Sequence, residues 1–325
     1  QQFPSTVLLQ IINLMKKNIS NFLTSLLFLT LTNTEVYAMS TTQTKAKLGW
    51  GPIALKAAKQ MTTSRIEVMR ENGALDLKRP IVIKAEPIVN YTEDVAKLEK
   101  NQKILHVQRH GQGFHNVMGD VYRSFDKKID FDSKDEKQNP FVMRELLDSP
   151  LTDIGKRQCA ERREDVENLN PEVILVSPLL RTIQTAYITF RDHIVNKKIE
   201  LIANEGCREE LGLLACNERR PLSVIREEFP DLNVDEYMKG MEEDVYFQQY
   251  PHRRETILEQ SDRIYKFLTE VVQNREEKDV AVVGHSTWLF FMMHSVLSCE
   301  DDDLKAWFLT SEVRSMKLTF LPDES

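Results

Sequence analysis

Three short aliphatic runs fix the kind of fold this chain can adopt. They are Ile104-Leu105-His106-Val107-Gln108, Val173-Ile174-Leu175-Val176 and Val280-Ala281-Val282-Val283. Runs this short and this rich in Val and Ile read as strands buried on both faces. Each run breaks off at a functional group. The first gives way to Arg109-His110-Gly111, the second to Ser177-Pro178-Leu179-Leu180-Arg181-Thr182, and the third to Gly284-His285-Ser286. In an open α/β sheet, ligands bind beyond the carboxyl ends of the strands. Two arginines and two histidines are thereby brought to one edge, at exposed strand ends. A helix starting just past a strand adds outward N–H groups and a dipole that favours an anion. Arginine matches phosphate oxygens with a planar fork, and histidine offers a nucleophile or proton carrier near neutral pH. The pattern suits a phosphate group.

Around these runs the sequence alternates. Helices are expected near residues 152–168, 179–190, 221–229, 259–274 and 287–298. Strands are expected near 104–108, 173–176, 199–202, 280–283 and 316–320. Such alternation implies an α/β three-layer sandwich, a mostly parallel central sheet with helices on both faces. Residues 117–150 and 206–258 are long, polar and rich in Asp, Glu and Arg, and are expected to form a cap above the strand ends.

The same residues carry a resemblance. Arg109-His110-Gly111 with Asn116, Leu151-Thr152-Asp153-Ile154-Gly155, the Ser177–Ala186 segment and Gly284-His285-Ser286 resemble the histidine phosphatase (phosphoglycerate mutase-like) superfamily over about residues 102–321. Cys207-Arg208-Glu209-Glu210-Leu211-Gly212 and Cys216-Asn217-Glu218-Arg219-Arg220 resemble its plant, fungal and protist branch. The resemblance implies a mixed sheet between helical layers. It also implies a phosphatase acting on a small phosphomonoester through phosphorylated His110, with Glu209 as the acid and His285 as a third catalytic group. Arg109, Asn116, Arg181 and His285 are the implied phosphate ligands. Glu210 is the alternative acid, since two adjacent carboxylates leave the register open. Thr152 and Gly155 read as structural, at a helix start. Arg219 and Arg220 resemble a basic pair that touches substrate, although Asn217 stands where the branch usually shows Asp. No cofactor or metal is implied, because the cap's carboxylates show no ligand spacing.

Two other functions stay open. One is a phosphoglycerate mutase, against which Gln112-Gly113 stand where the mutase motif has Glu-Ser. The other is an inactive phosphate-binding module.

Charge and cysteine bound the remaining classes. The 325 residues, 29% charged, carry a net charge of −7, which argues against nucleic-acid partners. Positive charge must then be concentrated locally, with Arg109, Arg181, Arg219 and Arg220 available. Cys159, Cys207, Cys216 and Cys299 lack C-x-x-C spacing and read as buried thiols, with a Cys207–Cys216 bridge the oxidising alternative. Met15-Lys16-Lys17, the apolar residues 19–31 and Val36-Tyr37-Ala38 together form a signal-peptide pattern too short for a stable membrane span. Residues 1–38 are thus expected to be upstream residues plus a signal peptide leading to the secretory pathway. The alternative is a cytoplasmic protein starting at Met39. Residues 39–100 read as an extension wrapping over a domain of residues 101–325, with an amphipathic helix at 53–61 and an extended run, Ile81-Val82-Ile83, between Pro80 and Pro87. Asn90-Tyr91-Thr92 is a glycosylation sequon if the chain is secreted.

Overall fold

The computed structural model describes residues 52–322 apart from residues 76 and 126, with side chains from residue 58 onward. The signal-peptide pattern and the alternative start at Met39 lie outside the described residues. Seven strands are described: β1 (Ile81–Pro87), β2 (Gln102–Arg109), β3 (Val173–Val176), β4 (Glu200–Ala203), β5 (Asp279–Gly284), β6 (Leu297–Cys299) and β7 (Val313–Pro322). They form one sheet in the order β4-β3-β5-β2-β7-β1-β6. Neighbours run parallel except at β7, which is antiparallel to both β2 and β1.

Both faces of the sheet are buried, as the aliphatic runs require. Leu105, Val107, Val173, Leu175, Val280 and Val282 join one core, while Ile174, Val176, Ala281 and Val283 join the other. That alternation is the two-residue period of a strand. Helices α1 (Pro52–Glu71), α6 (Ile257–Lys266) and α7 (Ser286–Phe291) cover the first face through residues such as Met69, Ile264 and Trp288. Helices α4 (Leu180–Thr189) and α5 (Leu222–Glu228) cover the second through Ile183, Ala186, Leu222 and Ile225. Each of the larger aliphatic side chains contributes about 1.5–3 kcal/mol by leaving water. The remaining helices that matter here are α2 (Phe114–Ser124) and α3 (Asp153–Glu161).

Two segments lie elsewhere than expected. The extension before residue 101 does not only wrap the domain. Its residues 81–87 pair in full register with β7, and Ile83 to Ala85 pair with β6. Ile83 and Ala85 point into the core and Lys84 and Glu86 point to solvent, so this strand, paired on both sides, buries one face. The helix expected at 53–61 runs on to Glu71. Part of 206–258 also departs from the cap. Leu222, Ile225, Leu232, Val234 and Met238 pack on the second sheet face beside β4, because their apolar side chains need that core. The cap has a small core of its own. Met118, Tyr122, Phe141 and Leu146 of one insertion pack with Leu214 and Cys216 of the other.

Register sets the site. Arg109 of β2 lies opposite Gly284 of β5, so His110 and His285 leave the sheet side by side. The His110 N–H donates to the Gly284 carbonyl at 3.0 Å, and the Ser177 N–H donates to the Val283 carbonyl at 3.1 Å.

Candidate active site

His110 sits at the centre of a histidine cluster. Its ring centre is 5.2 Å from that of His285 and 5.3 Å from that of His115. The three rings are buried rather than standing at an exposed strand end, because they pack on one another and on the turn of Gly111 and Gly113. His110 Nδ1 lies 2.6 Å from the Gly111 carbonyl oxygen. A carbonyl only accepts, so Nδ1 carries the proton and Nε2 of the neutral ring keeps its lone pair. Nε2 makes no hydrogen bond among the described residues. Burial, reinforced by the Arg181 and Arg109 charges, holds His110 well below the ordinary histidine range. The ring is neutral and nucleophilic at physiological pH.

The turn that presents His110 is held by α3. The Thr152 hydroxyl accepts from Gly155 N–H at 3.0 Å and donates to Gln112 Oε1 at 2.9 Å. A Cβ at Gly155 would lie 2.1 Å from the Gln112 carbonyl oxygen, and one at Gly111 would lie 2.6 Å from the Gly155 carbonyl. Only two glycines allow these backbones to approach so closely. Thr152 caps α3 as expected.

The arginines are buried without carboxylate partners. Arg109 Nη1 donates to the Phe308 carbonyl at 2.7 Å. Arg181, 1% exposed, donates to the Cys216 carbonyl at 2.6 Å and to Asn217 Oδ1 at 2.9 Å. All these acceptors are neutral, so both positive charges remain for a ligand. Burial brings Arg109 down to about 10, still above neutral pH. Arg109 Nε, Arg181 Nε, His115 Nδ1 and His285 Nδ1 are buried without a hydrogen-bond partner among the described residues. Each orphaned group costs about 1–3 kcal/mol, which an anion with several oxygens would recover. His285 is oriented by Ser177, whose Oγ is 2.8 Å from Nε2.

The two adjacent glutamates are separated by their partners. Glu209 accepts from the Trp288 N–H at 3.1 Å and the Thr287 N–H at 3.3 Å, at the start of α7 just after His285. Glu210 turns the other way, to a double contact with Arg254 at 2.7 and 2.9 Å. Burial pushes Glu210 up to about 7, against the pull of Arg254. The backbone here is locked by Arg263, which donates to the carbonyls of Gly206, Arg208 and Glu209. Beneath it, buried Arg208 and Arg219 share Glu205, and Arg208 also pairs with Asp244.

Asn116 caps α2 by accepting from Gly113 N–H at 2.9 Å. Arg219 and Arg220 depart from the basic pair expected at substrate. Arg219 is 2% exposed and spends its donors on Glu205 and four backbone carbonyls, those of Arg220, Met241, Glu242 and Glu243. Arg220 is paired with Asp148 and Glu228. Both are compensated, so neither adds free charge. The four cysteines are free thiols. Among the described residues no His, Cys, Asp and Glu cluster could hold a metal ion, and no helix is long and apolar enough to cross a membrane. Three site residues carried no assigned role in the sequence: Ser177, His115 and Asn217. Ser177 ends a buried strand, which was a usable signal. His115 folds back over Gly113, and Asn217 reaches Arg181 across 36 residues, so neither had a local sign.

Residues 134–323 match the histidine phosphatase superfamily (branch 1). That span contains Arg181, Glu209 and His285 and begins after Arg109 and His110. The chain is 28% identical over 246 residues to phosphoglycerate mutase-like protein 1 of Arabidopsis thaliana, covering 66% of this chain and 80% of that one. A second Arabidopsis phosphoglycerate mutase-like protein is 29% identical over 246 residues, covering 66% and 83%. Among solved structures, a phosphoglycerate mutase from Bacillus anthracis is similar with a TM-score of 0.43 at 15% identity, covering 69% of this chain and 93% of that one.

Proposed function

We propose, for a chain that belongs to the histidine phosphatase superfamily, that it hydrolyses small phosphomonoesters through phosphorylated His110. One observation carries this reading: a buried, neutral histidine with Nε2 free stands among two arginines that no carboxylate neutralises. Arg109, Arg181 and His285 hold the three equatorial oxygens of the phosphoryl group, where charge accumulates. Nε2 attacks phosphorus. The N–P bond forms as the ester P–O bond breaks, and Glu209 gives its proton to the leaving oxygen. A water then attacks phosphorus, Glu209 takes the water proton, and the N–P bond breaks to release inorganic phosphate. Arginine charge serves where other phosphatases use a cation, so no step calls for a metal.

The relatives' names point to the alternative acceptor, a second hydroxyl in place of water. Gln112 bears on this choice. It is tied by its side chain to Thr152 and by its N–H to Gln158, and so supports the turn. Hydrolysis is therefore the preferred reading.

The test is phosphate release across a panel of phosphorylated metabolites with chelator present, alongside His110→Ala. Wild type should release phosphate and form an acid-labile, base-stable phosphoprotein, and the variant should do neither. Activity in His110→Ala, or activity lost to chelator, would overturn the mechanism. Phosphoryl transfer to an added hydroxy acid without net release would favour the mutase.

A further inference from the structure

We propose that Arg65, on the N-terminal helix α1, binds a second anionic group of the substrate, a carboxylate or phosphate beyond the transferred phosphoryl. This rests on the phosphomonoester reading and narrows it to esters with a charged tail. Helix α1 lies before the residues that match the superfamily, yet one of its faces packs on the core and meets Trp307. Ala58, Thr62, Ile66 and Met69 follow helical spacing, and three of them pack into the core. Thr62 Oγ1 accepts the Trp307 N–H at 2.9 Å, which docks the helix on the loop that carries Phe308. Phe308 in turn holds Arg109.

Arg65 is on the same face. Its guanidinium centre is 5.8 Å from the Trp307 ring centre, and that of Arg109 is 6.0 Å from the same ring. One indole therefore sits beside both a phosphate-clamp arginine and Arg65. Burial lowers Arg65 against the pull of the Glu210 and Glu209 charges, so the acid-loop carboxylates lie within electrostatic reach of it.

Other arginines around this rim are spoken for. Arg254 pairs with Glu210 and Asp132, Arg253 with Glu259, and Arg220 with Asp148 and Glu228. Arg65 makes neither a hydrogen bond nor an ion pair among the described residues, only its contact with the ring. A largely buried guanidinium over the face of an indole, with none of its donors spent on the described residues, is positioned to offer its planar fork to a carboxylate or phosphate. A ligand anchored by its phosphoryl group on Arg109 and Arg181 would meet Arg65 with its far end.

The test is direct binding of non-hydrolysable probes, which does not depend on turnover. Calorimetry would compare plain alkylphosphonates with ω-carboxyalkylphosphonates and alkylene bisphosphonates of matched length. Wild type should prefer one charged-tail series over the plain series by at least about tenfold, and the series preferred tells carboxylate from phosphate. Arg65→Met should erase the preference and Arg65→Lys should retain part of it. Arg70→Met, a charge loss on the exposed face of the same helix, should leave the preference unchanged. Lack of preference in wild type, or an equal preference in Arg65→Met, would overturn the proposal. A purely structural Arg65 would weaken both series alike and keep their ratio. Failure to hydrolyse any ester would instead overturn the phosphatase reading.

Discussion

Asn217 joins Arg181 to the acid loop with one side chain. Its Oδ1 accepts from Arg181 Nη2 at 2.9 Å, and its Nδ2 donates to the Glu210 carbonyl at 2.8 Å. The residue that departs from the Asp of the resembling branch thus fixes Arg181 and the Glu209–Glu210 loop relative to each other. An amide can do both, since it accepts and donates, and it adds no negative charge beside Arg181.

Asn217→Ala should therefore lower kcat/KM by about 10–100-fold, the worth of a hydrogen bond to a charged group plus a loosened loop. Asn217→Asp should fall between, keeping the Arg181 contact but losing the donor to Glu210. Steady-state kinetics on one good substrate decides this. An unaffected Asn217→Ala would mean that Arg181 is positioned by Cys216 alone.

Glu209 and Glu210 are separable by leaving group. Glu209→Gln should slow alkyl esters by about 10²–10⁴-fold and aryl esters much less, because good leaving groups need no proton. Glu210→Gln breaks the Arg254 contact and should affect both classes alike. The reverse pattern in a leaving-group series would move the acid to Glu210.

Acid should destabilise the fold through the histidine cluster. Burial, with the arginine charges, lowers His110, His115 and His285. On unfolding each returns to about 6.5. Below that pH the unfolded chain binds protons that the folded chain refuses, so stability rises with pH in this window and is complete above it. Each histidine adds a slope of about 1.4 kcal/mol per pH unit. Urea unfolding at about pH 5 and about pH 7.5 should show the loss, and His115→Asn should make the slope shallower. An unchanged slope in the variant would contradict a neutral, buried His115.

Gly155→Ala tests the turn. The added Cβ meets backbone atoms of Gln112, which cannot swing aside as a side chain would. A stability loss of about 1–3 kcal/mol or more is expected, together with lost activity as the His110 turn is pushed. Thermal unfolding and kinetics measured together would show it. A fully active, equally stable variant would mean that the turn relaxes freely.

Local side chains suffice to specify the sheet's parallel core and the residues at its edge. Strand identity depends on local side chains, and the β2, β3 and β5 runs are short, branched and buried on both faces, so the pattern could mean little else. Once those strands are parallel neighbours, Arg109, His110 and His285 must emerge together. Tertiary structure decided what depends on distant partners. Ile81-Val82-Ile83 read as extended between two prolines, but its place in the sheet was set by β7, more than two hundred residues later. Glu209 was separated from Glu210 by Thr287, Trp288 and Arg254, none of them near in sequence. Arg219 was withdrawn from the site by Glu205 and the carbonyls of the 220–243 segment. A charge written in a sequence is free or spent according to what the fold sets beside it, because a buried ion must be paired or must face its ligand.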